Sequence, residues 1–319
     1  MPRRPFLTRR HAIAGLTAAL AAGGPVRAQA LSGRSVAITF DDLPFANASD
    51  ATTLGEVAAL NRTILDTLRA FNAPATGFVI EKVVEAYGGN ASRAVLKPWT
   101  QGAFALGNHT YSHADTNTLD LAGVEQEVVG GEASIRPLMA AAGKPLRFVR
   151  FAMNHTGDTL DKALAIEAML KRHGYQAAAS TIDTSDYEFE TAYRAARLAG
   201  DTGRMKRIAD AYVAYSAIEI DYYAALGRQV LGYEPPEVAL MHLNRINADT
   251  LPRILALYAD RGYRFVTLEA AQADPAYAGP VAFATKFGPM WAYRWAKEKG
   301  VTVDGRLEQD PPAWITKGG

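Results

Sequence analysis

Asp41 and Asp42 follow a short hydrophobic run at 36–40, and farther along the chain stands His109-Thr110-Tyr111-Ser112-His113. Two neutral imidazoles and one carboxylate make a donor set for a divalent cation, with positions left open for water or substrate. The second carboxylate is then spare, beside the cation, where a general base is useful. Together the two segments point to metal-assisted hydrolysis. His109 and His113 share one face if their segment is helical or tightly turned. The run lacks the Glu of a His-Glu-x-x-His protease, so a zinc-protease reading is unsupported. Two crowded acids are costly unless a cation or strong donors offset their charge. A simple turn before Leu43-Pro44 would need only one of them.

These residues must be positioned by an alternation of short apolar runs and helical patterns. Strands are expected at 36–40, 76–80, 103–106, 147–151, 175–180, 238–242 and 264–268. Helices are expected at 53–71, 91–100, 121–142, 158–173 and 250–262. Strand alternating with helix predicts a parallel sheet with right-handed crossovers, and the number of units favours a barrel over an open sheet. The stretch 188–236 breaks the rhythm with a helical pattern rich in Ala, Tyr and Arg, and reads as an inserted helical hairpin. A C-terminal extension over about 280–319 carries Trp291, Tyr293, Trp295 and Trp314. It is either a helix packed outside the barrel or, if the rings face the cleft, a stacking platform. One domain, 31–319, is the expected count.

In parallel α/β folds the active site forms where strands deliver their C-terminal ends. Asp41 and Asp42 fall after the first strand and His109 and His113 after the third. Arg150 is near the end of the fourth, Asp183 just beyond the fifth and His242 at the end of the sixth. Arg150 is either an ordinary surface arginine or the partner that orients Asp41. His242 is either a satisfied core histidine or a general acid. Asp183 would hydrogen-bond His242 and keep it protonated, since a carboxylate partner raises imidazole basicity.

Charge is nearly balanced, with 34 Lys+Arg against 33 Asp+Glu, which argues against a nucleic-acid or anionic-membrane partner. Cysteine is absent, so disulfides, thiolate metal sites and a cysteine nucleophile are excluded. Residues 1–30 read as an export signal: early arginines, an apolar stretch, then Ala28-Gln29-Ala30 as a small-x-small cleavage site. The apolar stretch is shorter than the about twenty residues of a spanning helix, so no integral membrane segment is expected in the mature chain. Thr8-Arg9-Arg10-His11-Ala12-Ile13 resembles a twin-arginine signal, which predicts a periplasmic or secreted protein.

Thr39-Phe40-Asp41-Asp42, His109-Thr110-Tyr111-Ser112-His113, Arg150-Phe151, Asp183-Thr184-Ser185-Asp186-Tyr187 and Leu240-Met241-His242 together resemble the five ordered motifs of the polysaccharide deacetylases. This is the NodB-homology group of carbohydrate esterases. The resemblance runs from about Val36 to about Leu268. It implies a distorted (β/α)7 barrel, here with a helical insertion, and one divalent metal, usually zinc, with cobalt or another divalent ion as alternatives. It implies Asp42, His109 and His113 as ligands, Asp41 as base and His242 as acid. Arg150 would orient Asp41, Asp183 would tune His242, and the backbone N–H of Met153 would serve the oxyanion. The implied substrate is an N-acetylated, or otherwise O-acetylated, carbohydrate.

The third motif departs from the family. Phe151 and Ala152 stand where prolines are usual, Met153 replaces an aromatic residue, and His155 adds an imidazole as a substrate contact or outer partner. Leu243-Asn244 stands where an aspartate is common. Three alternatives follow: hydrolysis of a small non-sugar amide or imide, a catalytically inactive glycan-binding protein, and a non-haem iron oxygenase using the same ligand types. The last has a different usual order of ligands.

Overall fold

The computed structural model describes residues 33–46 and 52–316; the export signal expected at 1–30 lies outside the described residues. The strands are β1 (Ser35–Leu43), β2 (Ala75–Val79), β3 (Phe104–Asn108), β4 (Phe148–Val149), β5 (Gln176–Ala177), β6 (Ile182–Asp183), β7 (Glu237–His242) and β8 (Arg264–Val266). They form one parallel sheet in the order β5-β4-β3-β2-β1-β7-β6, with β8 paired to β1. Between β5 and β6 the chain bridges the two ends of that order. Ala178 donates its N–H to Val149 at 2.7 Å and Thr181 donates to Val238 at 2.9 Å. One kinked segment thus pairs with β4 and then with β7, and the sheet is curled as a distorted (β/α)7 barrel.

Several sequence expectations shift for physical reasons. The strand expected at 175–180 is interrupted because the Gln272 side chain accepts the Ala179 N–H and donates to the Ala177 carbonyl. Backbone groups taken by a side chain cannot continue a ladder. The helix expected at 121–142 is two helices, Leu121–Gly130 and Ile135–Ala141. Buried Glu81 holds both the Ser134 N–H and its hydroxyl at the break. Other helices begin on side-chain caps. Thr53 and Glu56 form a capping box at Leu54–Ala70, and Asn244 caps Arg245–Asp260, which starts earlier than its hydrophobic pattern indicates.

The insertion is two helices, Asp186–Leu198 and Thr202–Leu231, packed on each other, and the C-terminal helix Trp291–Lys299 packs on the longer one. No helix among the described residues is long and apolar enough to cross a membrane.

The core gathers against β1. Trp99 is fully buried, meets Phe40 edge-on with centroids 5.8 Å apart, and donates its indole N–H to Asn61 at 2.8 Å. Truncation there removes a large apolar volume and strands the Asn61 acceptor. Trp99→Ala is expected to cost about 3–5 kcal/mol, read as a lowered midpoint in urea unfolding; an unchanged midpoint would refute this account of the core.

Candidate active site

Adjacent residues of a strand point to opposite faces, so Asp41 and Asp42 should not share a site. They do, because Asp42 takes a left-handed conformation with φ of 64° and the pairing of β1 with β2 shifts register between Phe40 and Leu43. This bulge turns both carboxylates inward. They therefore lie within the last residues of β1, not after it.

The Asp41 carboxylate is buried and held from two sides. Arg150 Nη1 donates to its Oδ1 at 2.7 Å, and His109 Nε2 lies 3.6 Å from its Oδ2. Arg150 is itself 1% exposed, donates to Thr39 Oγ1 and the Ala179 carbonyl, and lies over the Phe78 ring. The surface reading of Arg150 is thereby set aside.

Asp42 Oδ1 is buried with no hydrogen-bond partner, and His109 Nε2 and His113 Nε2 lie 3.3 and 3.6 Å from it. The three ligand atoms fall within 4.8 Å of one another. His109 Nδ1 is 2.7 Å from the Arg150 carbonyl, which only accepts, so Nδ1 carries the proton. The neutral imidazole then presents its Nε2 lone pair to a carboxylate oxygen, and only a shared proton or a cation makes that approach favourable. Burial would raise the Asp42 carboxyl, but His109, His242 and His113 hold it well below the usual range. Burial lowers His109, and Asp41 and Asp42 more than offset it; burial and the neighbouring His109 push His113 down. Donor chemistry, orphaned oxygen and tautomer all fit a divalent cation.

The two histidines are brought together by a tight turn, not a helix. Thr110 and His113 have φ of 69° and 62°, and the rings stand edge to face at 4.8 Å. Asn108 accepts the Thr110 N–H, and Glu127 accepts both the N–H and hydroxyl of Ser112.

His242 faces the same cavity, of about 370 Å³, along with Asp41, His109, His113, Met153 and Asp183. Asp183 is not its hydrogen-bond partner, contrary to the sequence expectation. Asp186 is: its carboxylate takes His242 Nδ1 at 2.7 Å and the His242 N–H at 2.7 Å. Ser185 adopts a left-handed conformation that ends β6 and starts the helix, which aims the first helical side chain at β7. Asp183 instead accepts the Ser185 N–H at 2.8 Å. Burial and the charges of Asp186 and Glu308 push the Asp183 carboxyl up to about 6. For His242, burial lowers basicity, but Asp186 by charge and hydrogen bond, with Asp42 and Asp41, carries it up to about 10. The imidazole is thus protonated at neutral pH and presents its other N–H to the cavity. Asn244 and Asn247 both donate to Asp186. Asp186 was visible as the last acid of the 183–186 run, but periodicity could not say which acid faces β7.

Met153 and Asn154 have φ of 55° and 54°. Two successive left-handed non-glycine residues cost about 1–3 kcal/mol each and persist only where their surroundings over-determine them. Met153 lines the cavity mouth and is 54% exposed. His155 is turned aside, bonded through Nδ1 to Asp115 at 2.7 Å. Of the aromatic tail, Trp295 packs on Tyr277, Arg294 lies over Trp291, and Tyr293 bonds Tyr222 and Glu308. Those rings and Trp314 are not among the residues lining the cavity, which takes Gly288 and Met290 from the tail instead. Of the two readings of the tail, the packed helix is the one seen, and the stacking platform is set aside.

Residues 28–178 match the family model described as polysaccharide deacetylase. A chitin deacetylase from Pestalotiopsis sp. is 30% identical over 155 residues, covering 48% of this chain and 44% of that protein. The chain therefore spans less than half the length of this curated relative. A CE4 esterase from Streptococcus mutans has the same fold, with a TM-score of 0.51 and 21% identity over 73% of this chain and 85% of its own. So does a CE4 family pseudoenzyme from Bacillus anthracis, in a mutant with restored enzymatic activity. Its TM-score is 0.51, with 17% identity over 76% of this chain and 68% of its own. The motifs, the curled parallel barrel and the match over 28–178 agree in supporting the polysaccharide deacetylase family for this chain.

Proposed function

We propose that this protein is a metal-dependent deacetylase that removes N-acetyl groups from a polysaccharide or oligosaccharide of chitin or peptidoglycan type. One observation carries the reading: an orphaned Asp42 oxygen faces two imidazole nitrogens, while an Arg-clamped Asp41 and an Asp-backed His242 face the same cavity. Asp42, His109 and His113 would hold the cation, zinc by family habit, which supplies Lewis acidity toward an acyl oxygen and acidity to water. Asp41, fixed by Arg150, takes the proton of the attacking water. The backbone N–H of Met153 stabilises the oxyanion. His242, kept cationic by Asp186, protonates the departing nitrogen. The inactive glycan-binding reading is disfavoured because base, acid and ligand set all converge. Export to the periplasm through the signal at 1–30 belongs to the same proposal.

Acetate release from a panel of chitooligosaccharides, acetylated xylan and small amides, with and without chelator, decides between sugar and non-sugar substrates. Activity on the chitooligosaccharides that is lost with chelator and restored by zinc is the expected result; chelator-insensitive turnover would sink the metal assignment.

Asp41→Asn is expected to lower kcat by about 10²–10⁴-fold with bound metal retained. Near wild-type turnover in that variant would remove Asp41 from the role of base.

The pH dependence follows from His242. An acid raised to about 10 stays protonated through neutrality, so its loss defines the alkaline limb of the rate profile. Asp186→Asn removes the charge that raises it, so that limb moves to lower pH and kcat at pH 8 falls more than kcat at pH 6. An unshifted limb would show that Asp186 does not set the acid.

A further inference from the structure

The turn at Met153–Asn154 sits at the mouth of the site, in a conformation that its own sequence does little to impose. It has neither a proline to restrict the backbone nor a glycine to relieve the left-handed positions. Within the turn, Asn154 N–H reaches only the Phe151 carbonyl and His155 N–H the Ala152 carbonyl. Thr116 Oγ1 donates to the His155 carbonyl at 2.7 Å, and further restraint comes from far along the chain. Arg294, in the helix Trp291–Lys299, is 8% exposed and spreads its guanidinium over the back of the turn. Its Nη2 donates to the Asn154 carbonyl at 2.6 Å, its Nη1 to Thr156 Oγ1 at 2.6 Å and its Nε to the Pro289 carbonyl at 3.1 Å. The guanidinium also lies over the Trp291 ring at 4.4 Å. Burial pushes Arg294 down only to about 10, so it remains charged at neutral pH.

On the front of the turn, Gly288 lies against Met153. A methyl group there would sit 1.7 Å from the Met153 carbonyl oxygen, which no backbone tolerates without moving. Ser180 donates to Asn154 Oδ1 and its own carbonyl accepts the Trp291 N–H, tying strand link, turn and tail together. Asn117, just past the paired histidines, donates to the Lys286 carbonyl.

We infer that Arg294 is a positioning residue: with Gly288, it clamps the Met153–Asn154 turn from the C-terminal segment and so aims the Met153 peptide into the catalytic cavity. The forked donor set explains why arginine is required. A lysine ammonium retains the charge but cannot span the Asn154 carbonyl, Thr156 and Pro289 at once. The segment 286–294 is thus part of the active site, although it lies outside the residues matched by the family model.

The catalytic consequence rests on the deacetylase reading, while the clamp itself can be read without it. Amide hydrogen exchange over peptides spanning 151–156 is measured for the full metal-loaded protein, for Arg294→Lys and for Gly288→Ala, alongside steady-state acetate release. Both variants are expected to exchange faster at 152–155 while strands β1 and β3 keep wild-type protection. On the substrate that wild type uses, kcat should fall about 10- to 100-fold with KM changed less than about threefold and bound metal unchanged. Wild-type exchange in the turn would overturn the clamp whether or not the protein is a deacetylase. Faster exchange with wild-type kcat would overturn its positioning role. A wild-type protein that releases no acetate refutes the function alone, and exchange then decides the clamp. Should Arg294→Lys not fold, Thr156→Val deletes one guanidinium acceptor at nearly constant volume and is held to the same outcomes.

Discussion

Two carboxylates at consecutive positions of one strand can serve a single site only if the pleat is broken between them, and the left-handed Asp42 is that break. Everything else at the site answers to it. Once both acids face inward, their like charges must be separated and compensated. Arg150 takes Asp41 at 2.7 Å from the end of β4, and the two imidazoles take the side of Asp42 from the end of β3. The division into a clamped carboxylate and an open-handed one follows from which cation each can reach.

The outer residues hold this arrangement through buried groups that each engage several partners. The Arg150 guanidinium bridges β1 and the kink after β5, and its carbonyl fixes the proton on His109. One residue thereby orients the base and sets the tautomer of a ligand. On the opposite wall Asp186 has the corresponding function, receiving both the ring and the backbone of His242 with Asn244 and Asn247 behind it. Beside that carboxylate the imidazole stays cationic. Asn244 stands where an acid is common in the family, and it also caps the following helix, which an amide does as well as a carboxylate.

The third wall differs in kind. The family's prolines restrict that loop locally, whereas here the restraint comes from a tail more than a hundred residues away in sequence. The local sequence is consequently free to place Phe151 in the core behind the site and leave Met153 at its mouth, half exposed to whatever binds there.

Much of the site was legible in order and spacing. Asp41, Asp42, His109, His113, Arg150 and His242 each stand at a strand end, and strand ends are recognisable because apolar β-branched runs stop abruptly at polar residues. The barrel followed from the same alternation, and the insertion from its interruption. Tertiary structure decided what no period encodes. A bulge put Asp42 on the side of Asp41, and the left-handed Ser185 sent Asp186, not Asp183, to His242. The fold also brought Arg294 and Gly288 to the 151–156 turn. The physical reason is the same in each case. Hydrophobic periodicity reports the average direction of a side chain within a regular element, whereas these contacts arise where regularity ends and the direction is set by packing against distant chain.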